Sequence, residues 1–214
     1  MRFNYFLLIL IICCLLSACK KENNDTIITG YVTGVEPGTV IKLSKFDGFT
    51  FNEFQSDTIT KEDFKFTIID SISNPQLLML TMVDETIAPT SLELWIAPGS
   101  KTEIKGRDKY YAAWEVKNDV PEQVELNRYK DRTRDYDRNW QSLLSDTYPF
   151  RTAIESGAEI TLEMEREFML KMDSVATMER LIEETRLEVM HENKTYSPVW
   201  MDEDVGRLCG SAPI

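Results

Sequence analysis

Between residues 27 and 118 apolar side chains recur at every second position, in short runs separated by turn formers, the pattern of half-buried β-strands. Ile27-Ile28-Thr29-Gly30-Tyr31-Val32 and Val40-Ile41-Lys42-Leu43 flank a turn at Pro37-Gly38, where Gly38 can take a positive φ. Phe64-Lys65-Phe66-Thr67-Ile68 alternates strictly, and residues 77–83 form a denser apolar run suited to a central strand. Residues 91–96 alternate again until Pro98-Gly99 turns the chain into residues 101–105, and residues 110–117 supply a last strand. Seven or eight short strands with turns between them predict an antiparallel sandwich or an open barrel.

The period changes at Asp119. Asp119-Val120-Pro121-Glu122 predicts a helix start, with Asp119 as cap and Glu122 near the positive end of the dipole. This helix should run to about residue 146 and stop before Pro149, because an internal proline removes a hydrogen bond and crowds the preceding turn. A second helix should begin near Thr161, capped by it, and reach about His191. Phe168, Val175, Ile182 and Val189 share one stripe with Met172 and Met178, along a helix roughly 45 Å long at ~1.5 Å per residue. Two such helices with a short connection pair antiparallel. The expected fold class is α+β: an antiparallel β-sandwich or open barrel at residues 27–118, a helical hairpin or spacer at 119–200, and an irregular tail at 201–214.

The N-terminus has a different character. Arg2 precedes an apolar run over residues 6–16, and Leu16-Ser17-Ala18-Cys19 follows. The run is shorter than the ~20 residues of a permanent membrane span, so it predicts a cleaved signal peptide at 1–18. The residues ending at Cys19 resemble a bacterial lipoprotein processing site. That resemblance implies diacylglycerol on the Cys19 sulfur, cleavage before it and acylation of the new amine. The protein would then be lipid-anchored in the cell envelope, at the outer or inner membrane, facing the periplasm or the cell surface. Each buried methylene contributes ~0.8 kcal/mol, so two or three acyl chains anchor stably. Residues 19–26 form a polar tether; its acidic residues resemble the surface-export signals of some Gram-negative lipoproteins, and a plain solvated linker is the simpler reading of them.

Charge narrows the partners. Removing residues 1–18, whose one charged side chain is Arg2, takes the formal net charge from −12 to −13. That balance disfavours nucleic acid, which is bound by replacing phosphate counterions with Lys and Arg, and disfavours an anionic-membrane surface, leaving anchoring to the lipid. Of the four cysteines, Cys13 and Cys14 leave with the signal and Cys19 carries lipid, so Cys209 alone can form no internal disulfide.

Three segments carry a family resemblance: Ile28-Thr29-Gly30-Tyr31-Val32, then Asp57-Thr58-Ile59 with Phe64-Lys65-Phe66, then Ile96-Ala97-Pro98-Gly99. They look like the β-rich domain of unknown function that precedes a thioredoxin-like domain in Gram-negative envelope lipoproteins of the thiol–disulfide oxidoreductase type. The downstream helices resemble the helical spacer of those proteins. Glu62-Asp63 stands where such domains often carry glycine, so the turn before Phe64 should need no positive φ. The relatives' CxxC has no counterpart here, so redox activity is not carried over. The chain is expected to be either a stand-alone accessory module or the front of a longer oxidoreductase.

Candidate chemistry is thin, and no catalytic set or cofactor is expected. Tyr110, Tyr111 and Trp114 form a dense aromatic patch that could stack on sugars or receive a protein, and alternation along a strand would instead bury part of it. Asp-Thr/Ser-Ile/Val triplets at Thr26, Thr58, Ser71 and Ser174 resemble a Gram-negative O-glycosylation acceptor. His191, the only histidine, suits the C-terminal end of its helix, and the acidic groups at 163–167, 183–184 and 202–204 lack a calcium-loop glycine pattern. Arg128, Arg132, Arg134 and Arg138 alternate with Asp131, Asp135 and Asp137 and read as intrahelical ion pairs. The expected role is a non-catalytic binding or accessory module with a protein partner. A surface glycan- or nutrient-binding lipoprotein is a further alternative, to be told apart by exposure of the Tyr110–Trp114 aromatics.

Overall fold

The computed structural model describes residues 25–46, 50–69, 72–192 and 198–199. Its strands are β1 (Thr26–Val32), β2 (Val40–Phe46), β3 (Phe51–Thr58), β4 (Asp63–Ile68), β5 (Gln76–Val83), β6 (Leu92–Ile96), β7 (Lys101–Gly106) and β8 (Glu115–Lys117). They form two sheets of order β4-β1-β7-β8 and β3-β2-β5-β6. Neighbours are antiparallel except β1 and β7, which run parallel. Two helices follow, α1 (Pro121–Glu155) and α2 (Leu162–Glu192), packed on each other as a hairpin with Phe150 stacked on Phe168 at 4.3 Å near its turn. The fold is α+β, with a two-sheet sandwich and then a helical hairpin.

Alternation builds the sandwich core. Ile28 and Val32 of β1, Phe64, Phe66 and Ile68 of β4, and Ile104 of β7 point inward to meet Ile41, Leu43, Leu78, Leu80 and Leu94 of the other sheet. Gly30 lies opposite Phe64 in the β1–β4 register, and a Cβ there would sit 2.0 Å from the Phe64 ring, so the glycine provides the space the ring fills. A second apolar cluster joins Trp95 of β6 to Val120, Leu126 and Tyr129 at the start of α1, Val189 of α2, and Val199.

Several expectations are corrected. Residues 110–117 do not form one strand: Tyr111–Ala113 is a 3-10 turn and only Glu115–Lys117 is extended. The sequence pattern does not show β3, because this edge strand buries none of its residues and so carries no period-two apolar signal. The cap of α1 is Val120 rather than Asp119; the buried Asn118 takes the capping role, its Oδ1 accepting from the Val120 N–H at 3.0 Å. Pro149 lies inside α1, whose last turns are held by the Phe150–Phe168 stack and by Thr152 Oγ1 donating to the Pro149 carbonyl. Thr161 does cap α2, accepting from the Met164 N–H.

The turn before β4 also departs from expectation. Lys61 and Glu62 take φ of 50° and 72°, and Thr60 and Asp63 exchange both backbone hydrogen bonds. The turn closes an isolated bridge between the two sheets, and its paired Thr60–Asp63 bonds offset part of the ~1–2 kcal/mol left-handed cost per residue.

The pairing defines two ends of the sandwich. At one, Thr26 opens β1 and donates to the Ala97 carbonyl, Ile68 pairs with Thr26, Ile96 pairs with Gln76, and the β2–β3 hairpin ends in the Phe46–Phe51 pair. At the other lie the 61–62 turn, Val83 and the loop of residues 84–91. α1 starts at the first end, where Gln123 meets Trp95, and reaches the second at Ser145, which meets Ala88. It then continues ten residues, about 15 Å at ~1.5 Å per residue.

Candidate functional site

Two sheets stacked face to face leave two open sides, each lined by strand edges whose N–H and C=O groups need partners. Side chains close both. On the first side, Asp57 of β3 accepts from the Lys65 N–H at 2.7 Å, and Gln55 donates to the Thr67 carbonyl at 3.1 Å, so β3 covers the outer edge of β4 without a backbone ladder.

On the second side the cover is α1. Gln123 Oε1 accepts from the Trp95 N–H at 2.8 Å, while Asn118 Nδ2 donates to the Trp95 carbonyl at 2.8 Å and to Thr102 Oγ1. Asn127 Nδ2 donates to the Val116 carbonyl at 2.8 Å, and Arg134 to that of Ala113. Gln141 Oε1 accepts from the Ala112 N–H at 2.9 Å, and Ser145 Oγ from the Ala88 N–H at 3.0 Å. A side-chain amide carries the same donor and acceptor as a peptide group, so beside Trp95 of β6 and Val116 of β8 these residues stand where a further strand would, while at Ala88, Ala112 and Ala113 they bond loop and 3-10 backbone. Gln123, Gln141 and Ser145 are buried as a result.

Of the two alternatives for the aromatic patch, burial holds for Tyr111 and Trp114, which are core and present no binding surface. Tyr111 is 0% exposed, and its hydroxyl accepts from the Thr90 N–H and donates to the Thr90 carbonyl. Trp114 lies over Gly106 and donates through Nε1 to the Asp108 carbonyl, and Tyr110 packs partly buried on the same cluster. Tyr111 in the 3-10 turn and Trp114 directly after it both pack into the sandwich core.

The four acceptor triplets part company. Thr26 is fully buried, its hydroxyl donating to Ala97, so no glycan reaches it in the folded chain. Thr58 is exposed on β3, and Ser174 donates to the Leu170 carbonyl on α2. Ser71, Cys19 and Cys209 lie outside the described residues.

Several charged side chains form ion pairs. Arg134 bonds Asp131, Arg138 bonds Asp108 at 2.9 Å and Asp135, and Arg128 pairs with Glu125. Arg132 and Glu192 form a two-bond clip between the helices, and this hydrogen bond holds the Glu192 carboxyl below its ordinary range. Buried Asp137 accepts from Thr133 at 2.8 Å and has Lys130 at 3.8 Å. At the strained turn, Tyr31 donates to Glu62 at 2.7 Å, and that bond raises the phenol above its ordinary range. Among the described residues no group of three His, Cys, Asp or Glu side chains could hold a metal ion, and no helix is long and apolar enough to cross a membrane.

Two sets of exposed apolar side chains lie toward the ends of the molecule, with Tyr31, Val83, Val124 and Leu187 exposed elsewhere. At the end where β1 begins, Phe51, Phe54 and Ile69 are exposed; beyond the other end, Ile154, Leu162, Met169 and Leu170 are exposed near the turn of the hairpin. Only their burial, which sequence does not carry, separates them from core residues. Comparison of the chain with protein-family models, curated proteins and solved structures finds no match.

Proposed function

We propose that this chain is a lipid-anchored cell-envelope protein whose folded part is a non-catalytic binding or accessory module. The observation that carries the reading is Leu16-Ser17-Ala18-Cys19 at the end of a short apolar run behind Arg2. Two features of the fold support it. β1 opens at Thr26, so a polar tether of a few residues separates Cys19 from the folded part. Many buried polar side chains bond backbone groups and several charged ones form ion pairs, while exposed apolar side chains include a set at each end of the molecule.

Intact mass spectrometry of protein extracted from its native membranes tests this. A mass of residues 19–214 plus acyl chains is expected, and Cys19→Ser should move the protein out of the membrane fraction. Retention of Cys19→Ser in membranes would refute lipid anchoring.

The second reading, the front of a thiol–disulfide oxidoreductase lipoprotein, is favoured by one observation: the resembling segments lie together. Gly30 pairs with Phe64, and residues 97–100 bond the first residues of β1. A native mass larger by a further domain would select it.

A further inference from the structure

We infer that the end of the sandwich where β1 begins sits on the bilayer that holds the Cys19 acyl chains, with Phe51, Phe54 and Ile69 in contact with the lipid interface and the helical hairpin pointing away. The inference rests on the lipid anchor proposed above and adds an orientation and a lipid-contacting surface to it.

Chain length restricts the geometry. Cys19 lies seven residues before Thr26, so the first residue of β1 is at most about 25 Å from the anchor at ~3.6 Å per residue. Thr26 is fixed in the fold, fully buried, bonded to Ala97 and paired with Ile68. The end it occupies is therefore the one joined to the anchor and lies within that reach of the bilayer.

That end presents apolar side chains to solvent. Ile69, directly after β4, is 68% exposed; Phe51, at the tip of the β2–β3 hairpin and in ring contact with Phe46, is 50% exposed. Phe54 is 41% exposed at a β-bulge: Glu53 pairs with Ser44 and Gln55 with Leu43, so Phe54 is the extra residue turned out of register. Ile69 follows the last residue of β4, which pairs with Thr26, and Phe51 and Phe54 lie on β3, which begins at that end. Phenylalanine and isoleucine gain from entering a headgroup–acyl boundary and need no anionic lipid, which agrees with the acidic net charge.

The opposite end bears the 61–62 turn with Tyr31 bonded to Glu62 and, among the described residues, exposes Val83 alone of the large apolar side chains at its strand ends, and the hairpin extends beyond it. Since α1 runs from Trp95 at the first end to Ala88 at the second, the exposed apolar residues Ile154 and Leu162 are carried away from the bilayer.

The test uses the lipidated protein with Cys209→Ser, in phosphatidylcholine vesicles carrying brominated acyl chains. A fluorescent label is placed at Asn52→Cys, beside Phe51, or at Glu163→Cys, beside Leu162. Strong quenching at 52 and none at 163 is the expected result, and it should be lost at 52 in a folded F51S/F54S/I69S background that stays vesicle-bound. If that triple variant does not fold, the comparison of 52 with 163 alone decides. An acylated, vesicle-bound protein quenched at neither site, or at 163, overturns the seat and leaves the anchor standing. A protein whose mass shows no acyl chain and which stays in solution removes the anchor, and the seat with it.

Discussion

The sandwich interior and the contact between α1 and the sandwich solve the same problem with opposite chemistry. Inside, Ile28, Leu43, Leu80, Leu94 and Ile104 meet as apolar surfaces with no directional demand. Along the open side, Asn118, Gln123, Asn127, Gln141 and Ser145 bond the backbone groups of residues 88, 95, 112 and 116, each at a set distance and angle. The first kind of contact contributes in proportion to area and tolerates exchange of similar shapes; the second contributes little net but leaves a costly orphan when one partner is removed. Burial therefore drives the sheets together and, through Trp95, Leu126 and Tyr129, holds the helix on β6, while the amides satisfy the backbone groups along that side.

The largest effect should come from the core. Trp114→Ala removes an indole packed over Gly106 and Phe64 and is expected to cost about 3–5 kcal/mol in urea unfolding. A loss below about 1 kcal/mol would mean that this corner contributes little and would break the contrast.

Next is Gln123→Leu, close in volume but unable to accept the Trp95 N–H. Leaving that donor unpaired should cost about 1–3 kcal/mol and speed hydrogen exchange at the Trp95 amide, whereas Gln123→Glu, which keeps an acceptor, should retain the protection. Unchanged exchange in the leucine variant would show that the edge is closed by something other than the amide.

The smallest effect sharpens the comparison from outside. Arg132 holds the Glu192 carboxyl below its ordinary range, so the clip favours the folded state above the unfolded carboxylate's pKa, and this is lost as pH falls through the folded one. Glu192→Gln should flatten that acid limb slightly in thermal unfolding measured at low salt, and the difference should fade in high salt because the pair is exposed. An unchanged acid limb would place the pH dependence in other carboxylates.

How much of this could be read from the chain differs by element. β4 was legible because Phe64, Phe66 and Ile68 are buried at alternate positions, and α2 because Phe168, Val175, Ile182 and Val189 keep one face. β3 was not, since an edge strand with both faces open leaves no periodic trace. α1 was legible as a helix but not as a cover: its buried residues include Gln123, Thr133, Asp137, Gln141 and Ser145, which a hydropathy pattern assigns to solvent. The Tyr110–Trp114 aromatics illustrate the converse, since large apolar rings look alike in sequence whether they face a ligand or a core.

By itself the sequence determined which segments are strands or helices wherever one face is apolar, because burial of that face imposes the period. It also determined the acidic balance and placed Cys19 shortly before the first strand. Only the tertiary structure decided the pairing of β1 with β7, the left-handed turn at Lys61 and Glu62, the end at which Phe51, Phe54 and Ile69 gather, and the use of amides as substitute strand neighbours. Those depend on which backbone groups and surfaces meet across long sequence separations. A glutamine bonded to water and one bonded to a strand edge are the same letter until the edge arrives.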